Sequence, residues 1–203
     1  MRIFFALCAH EGYVALKVNA TNAYANSPPP DQPSFVYIDD HQYADWYAAR
    51  YGVSVSKDMV RPVQHALQGH PESGALWETF VNKVIALHGF KSTTHERSIY
   101  QGFFKGQQML ICCQVDYLAI GCSDPDIIRN LVTTICREDG IDLRDEGILD
   151  SFNGVDVQQT DQYVKITCES YIDKLLAHYG WTAAGVHDTN SKPIEPLASS
   201  SLQ

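Results

Sequence analysis

The alternation of apolar and polar positions divides the chain into short elements. Apolar side chains recur at helical spacing over residues 2–11 and stop at Gly12, and Tyr13-Val14-Ala15-Leu16-Lys17-Val18 then reads as a strand. From Thr21 to Gly52 the pattern lapses into turn and polar residues, among them Pro28-Pro29-Pro30 and Asp39-Asp40. A long ordered loop is expected there, with a short strand at Phe35–Ile38. Pro71, Glu72 and Ser73 open the most regular helix, in which Leu76, Phe80, Val81, Val84, Ile85 and Leu87 return at three- and four-residue steps until Gly89. Two strand-like runs, Ser98–Phe104 and Gln108–Val115, flank the hairpin residues Lys105-Gly106-Gln107, and Leu118–Gly121 reads as a third strand. Ser123 or Asp124 caps a helix from Ile127 to about Arg137, with Pro125 in its first turn. Strands at about 149–157 and 162–168, joined at Thr160-Asp161-Gln162, precede a short helix around Tyr171–Tyr179 that Gly180 ends. Antiparallel strands with helices on one side define an α+β fold. Residues 1–180 are expected to form one domain and 181–203 a tail or connection segment.

Composition narrows the class. Of 203 residues, 45% are hydrophobic and 19% charged, which supplies a core and excludes a disordered chain. No apolar run approaches the ~18 residues of a membrane helix. The apolar start reaches His10 and Glu11 too soon for a secretory signal, so an intracellular, cytoplasmic location without membrane contact is expected. The net charge of -9 is uneven: residues 1–100 hold 8 basic and 9 acidic side chains, residues 101–203 hold 7 and 15. Between Glu138 and Asp161 the acidic groups face the single base Arg144, a field that repels a phosphate backbone. Tight nucleic-acid binding by this chain alone is therefore disfavoured. The six cysteines contain no C-x-x-C pair, and they are expected to serve as small apolar core residues rather than as zinc ligands. The eight histidines show no ligand spacing.

Candidate chemistry centres on Asp116, a carboxylate at a tight turn between two apolar strands. Two readings stand side by side: an ordinary turn aspartate, or a rigidly presented ligand for a hard cation such as Mg²⁺. Four blocks then occur in order. They are Val18-Asn19-Ala20-Thr21-Asn22-Ala23-Tyr24-Ala25-Asn26, the run Ala66 to Trp77 containing Gln68-Gly69, Gln114-Val115-Asp116-Tyr117-Leu118, and Phe152-Asn153-Gly154-Val155-Asp156-Val157. Together they resemble the reverse transcriptase of copia-type LTR retrotransposons, whose corresponding motifs read like D-V-K-x-A-F-L-N-G, A-L-x-G, Y-V-D-D-L and F-L-G-I-x-I. The resemblance covers nearly the whole chain, and Tyr171–Leu176 fits the helix that follows the last motif.

The resemblance implies a polymerase palm: an antiparallel sheet backed by helices, with a C-terminal hairpin and helix, fingers truncated at the N-terminus. It implies RNA-directed DNA polymerisation through two Mg²⁺ (or Mn²⁺) ions held by three aspartates, with an RNA/DNA template-primer, dNTP and other domains of a polyprotein as partners. The family's metal positions fall on Asn19, Asp116 and Tyr117, so only Asp116 keeps its carboxylate. Metal binding is expected to be weakened and polymerisation very weak or absent. Tyr24 matches an aromatic that packs under the sugar, and Gln68-Gly69 matches a nucleotide-contacting dipeptide. From the residues alone Tyr24 reads equally as a core aromatic, and Gln68-Gly69 as a polar turn. Two alternatives remain: an active polymerase with a substitute carboxylate such as Asp156 or Asp39/Asp40, and a non-enzymatic palm relic that binds nucleic acid or oligomerises.

Overall fold

The opening helix and strand are present as α1 (Arg2–Glu11) and β1 (Val14–Ala20), and Gly12 closes the helix in the left-handed conformation at φ 66°. They belong to a computed structural model that describes residues 1–37, 41–53, 60–160 and 162–181. The described residues fall into two compact units, Met1–Leu149 and the segment from Asp150 onward.

In the first unit, a 3-10 turn (Ala23–Asn26) follows β1, and then come β2 (Phe35–Tyr37), α2 (His41–Tyr51) and β3 (Val60–Pro62). The expected loop from Thr21 to Gly52 thus contains an eleven-residue helix, and β2 pairs with β3 in a small sheet of its own. Next come α3 (Ser73–Leu87), β4 (Lys91–Ser92), β5 (Ile99–Phe104), β6 (Gln107–Gln114), β7 (Tyr117–Cys122), α4 (Pro125–Asp139) and β8 (Leu143–Ile148). Asp124 is the cap of α4: its side chain accepts from the Asp126 amide at 2.9 Å.

Six strands form one antiparallel sheet in the order β4-β5-β6-β7-β1-β8. Side-chain alternation sorts its two faces. Leu16, Val18, Met109, Ile111, Leu118, Ile120 and Cys122 join Trp77, Val81, Val84 and Ile85 of α3 and Ile128, Leu131 and Ile135 of α4 in the main core. The other face carries Leu110, Cys112, Ala119 and Gly121, and α1 lies there, so helices cover both faces rather than the single face expected. Cys8, Cys112 and Cys122 are buried as small apolar residues.

Close approach fixes one glycine in this sheet. A Cβ at Gly102 would meet the Gly89 carbonyl oxygen at 2.8 Å and Phe90 Cα at 2.9 Å, both backbone atoms that cannot swing aside. Gly102→Ala is expected to cost about 2–3 kcal/mol, read as a lower urea midpoint at unchanged slope. Gly74→Ala, in the first turn of α3 with nothing within 4 Å of the new carbon, is expected to be neutral or stabilising.

The second unit is a three-stranded antiparallel sheet, order β11-β10-β9, followed by α5 (Glu169–His178). The single strand expected at 149–157 is two strands, β9 (Ser151–Phe152) and β10 (Val155–Gln159), turned at Asn153-Gly154 with φ 50° and 79°. Two-residue hairpins need left-handed residues there, and Asn-Gly supplies them. β11 (Val164–Thr167) completes the sheet. Asp161 of the expected turn lies outside the described residues, as do Ile38, Asp39, Asp40 and residues 182–203.

Candidate active site

The hairpin joining β6 to β7 turns through Val115 and Asp116, with Gln114 paired to Tyr117. Val115 sits at φ 53°, a left-handed conformation that a β-branched side chain strongly disfavours, so the turn stores about 1–3 kcal/mol of strain. Three hydrogen bonds impose it. The Trp77 indole N–H donates to the Val115 carbonyl at 2.5 Å, the Cys113 thiol donates to the same oxygen at 3.8 Å, and the Ala20 amide donates to the Asp116 carbonyl at 2.7 Å. Trp77 is 2% exposed, so the core of α3 anchors the turn directly. Trp77 closes the second sequence block, and no pattern in the chain foretells this bond.

β1 runs beside that turn. Asn19 is the register partner of Tyr117 on β7 and of Arg144 on β8. Asn19, Asp116 and Tyr117 therefore adjoin at one end of the sheet. Lys17, two residues before Asn19 and hence on the same face of β1, was not foreseen. Its ammonium lies 5.1 Å from the centre of the Tyr117 ring and 3.2 Å from Glu146 Oε2. The alternation of side chains along β1 was the available signal for it.

A cleft of about 430 Å³ opens from the turn and is lined by Asp116, Val115, Tyr24, Ala66, Gln68 and their neighbours. Tyr24 reaches it from the 3-10 turn, which the left-handed Asn22 (φ 51°) directs away from β1. Gln68 reaches it from a turn closed by the His70 amide on the Leu67 carbonyl at 3.0 Å. Gly69 supplies that turn's positive φ of 89° and does not itself line the cleft.

Burial, then neighbouring charges including that of Asp116, pushes the Cys113 thiol up to about 12, so it stays protonated beside the turn. Asp156, a candidate substitute carboxylate, is otherwise engaged: its Oδ2 accepts from the Ser170 amide at 2.8 Å in the first turn of α5, and that bond holds its pKa below the usual carboxylate value. Asp39 and Asp40 lie outside the described residues.

An antiparallel sheet backed by helices is a mixed α+β arrangement consistent with the palm-like fold of reverse transcriptases. A family model described as reverse transcriptase (RNA-dependent DNA polymerase) matches residues 1–195, and the chain belongs to that family. No curated protein matches the chain. Members of the family generally use divalent metals and bind a nucleic-acid template and deoxynucleotides. At the three positions that the resemblance assigns to metal, Asp116 alone is a carboxylate. Asn19 offers one neutral oxygen, Tyr117 a phenol, and the Lys17 ammonium sits over that phenol's ring. Among the described residues no three His, Cys, Asp or Glu side chains come together as a metal-holding group, and no helix is long and apolar enough to cross a membrane.

Proposed function

We propose that the chain is the palm-centred reverse-transcriptase segment of a copia-type retrotransposon polyprotein whose nucleotidyl-transfer centre no longer works. The order and spacing of its four motifs support the copia-type assignment. One observation carries the functional part: the three positions that would share the metals adjoin across β1 and the β6–β7 hairpin, and a single carboxylate stands among them. Two dications 3.5–4 Å apart repel each other strongly, and only bridging anionic oxygens offset that repulsion. An amide and a phenol leave two negative charges missing from the site. Their loss removes several kcal/mol of transition-state stabilisation, at roughly 1.4 kcal/mol for each tenfold in rate.

What this chain keeps is the nucleotide-shaped part of the site. Tyr24 and Gln68 flank the cleft beside Asp116, where an aromatic face and an amide suit a deoxyribose, with the wider template-primer held by other parts of the polyprotein. The test is primer extension by the purified chain on oligo(dT)-primed poly(rA) with dTTP and Mg²⁺ or Mn²⁺. Incorporation indistinguishable from that of Asp116→Ala is expected. Robust extension that Asp116→Ala abolishes would overturn the proposal.

A further inference from the structure

A second and more enclosed chamber, about 300 Å³, lies behind the β6–β7 turn within the first unit. Trp77 and Val81 of α3 form one wall, and Tyr100 of β5 and Cys113 of β6 form the other. Tyr24 and Val115 close the end that adjoins the Asp116 cleft, since both residues line the two spaces.

Three aromatic side chains therefore border one cavity, and two of them have their polar ends bonded to other residues of its wall, Val115 and Asn82. The Trp77 indole N–H is held by the Val115 carbonyl, and the Tyr100 hydroxyl donates to Asn82 Oδ1. What these two rings leave for an occupant is hydrocarbon and π surface, held rigidly because Trp77 and Tyr100 are buried. Glu78, one residue beyond Trp77 on α3, is exposed and also lines the chamber. Among the described residues its carboxylate has neither a hydrogen-bond nor an ion-pair partner. Its charge nevertheless reaches inside: after burial itself, Glu78 is among the groups that push the Tyr100 hydroxyl and the Cys113 thiol up.

An anion is repelled by that carboxylate, and a neutral apolar molecule leaves it unused. A cation with an apolar body uses both, since aromatic faces attract ammonium groups and a volume near 300 Å³ is at the small end of ligand sites. We propose that this chamber binds a small organic ammonium ion with a single-ring body, the ring enclosed by Tyr24, Trp77 and Tyr100 and the ammonium paired with Glu78. The proposal is independent of whether the polymerase centre works. An occupant bears on Tyr24 and Val115, the wall shared with the Asp116 cleft, and so on the geometry of the turn.

The test is titration of the whole chain with phenethylammonium and with its neutral counterpart 2-phenylethanol, followed by calorimetry and by the amide and indole NMR signals. The ammonium is expected to bind about tenfold more tightly than the alcohol, with Trp77 and Val115 among the shifted signals. Glu78→Gln, at an exposed helical position, is expected to erase the difference. Gly74→Leu places a side chain at the chamber wall where a Cβ meets nothing within 4 Å, and it is expected to weaken both ligands. No saturable binding, equal affinity for the two ligands, a preference that survives Glu78→Gln, or affinity untouched by Gly74→Leu overturns the proposal.

Discussion

Asn19→Asp combined with Tyr117→Asp is expected to give a chain that melts several degrees higher with magnesium than without it, a larger rise than the parent's. Both positions adjoin Asp116, because Asn19 pairs with Tyr117 and the Ala20 amide is bonded to the Asp116 carbonyl. Three clustered carboxylates repel one another without metal, so the double variant should melt below the parent in EDTA. A ligand at a hundred times its Kd adds about 2.7 kcal/mol of stability. For a chain of this size about 2–4 °C accompanies each kcal/mol, so a rise of about 5–10 °C between EDTA and saturating Mg²⁺ is expected. The substitution of Tyr117 also removes the ring under Lys17, leaving that ammonium to Glu146. A double variant whose melting responds to Mg²⁺ no more than the parent's does would show that these three positions do not form a metal site.

Trp77→Ala should be among the most damaging single changes. The side chain is 2% exposed within the main core, and truncating a buried tryptophan costs about 3–5 kcal/mol. Its indole N–H also restrains a strained turn. Trp77→Phe separates the two contributions, keeping most of the apolar contact while leaving the Val115 carbonyl without its strongest donor. That variant should lose about 1–2 kcal/mol, with the largest chemical-shift changes at Val115 and Asp116. Equal losses for the two variants in urea unfolding would mean that the hydrogen bond, not packing, dominates. A Trp77→Phe variant with unaltered turn signals would mean that the restraint lies elsewhere.

The legible parts of the fold were those in which side-chain burial dictates the backbone. α3 buries Trp77, Val81, Val84 and Ile85 at three- and four-residue steps, and the central run of β6 is buried on both faces, so each left a periodic or continuous apolar trace. α2 left none because it buries nothing: Tyr43, Trp46, Tyr47 and Tyr51 pack chiefly on one another, with Tyr47 and Tyr51 at 4.7 Å. β8 was hidden for another reason. Its sequence Leu-Arg-Asp-Glu-Gly-Ile carries charge where a pattern would show, since its place in the sheet comes from backbone bonds to β1 and only Leu143 is buried. Asn153-Gly154 was a turn signal written plainly in the chain and overlooked within an apolar stretch.

The site was legible through motif order rather than through periodicity. Nothing in local pattern joins Tyr24, Gln68 and Asp116, which come from three separate segments and meet only in the folded cleft. The chamber bordered by Tyr24, Trp77, Tyr100 and Cys113 has the same character, and its unpaired Glu78 becomes visible only when its neighbours are in place.

The position of β1 has a consequence for synthesis. It leaves the ribosome before the other five strands of its sheet, yet it lies inside that sheet, with β7 on one side and β8 on the other. Leu16 must wait for Ile148, more than a hundred residues later, before its second neighbour exists. Until then a strand rich in buried apolar residues has an open edge, the state most prone to wrong pairing. Non-local closure of this kind is slow, so the growing chain's exposure to aggregation is set by the time taken to translate from β1 to β8.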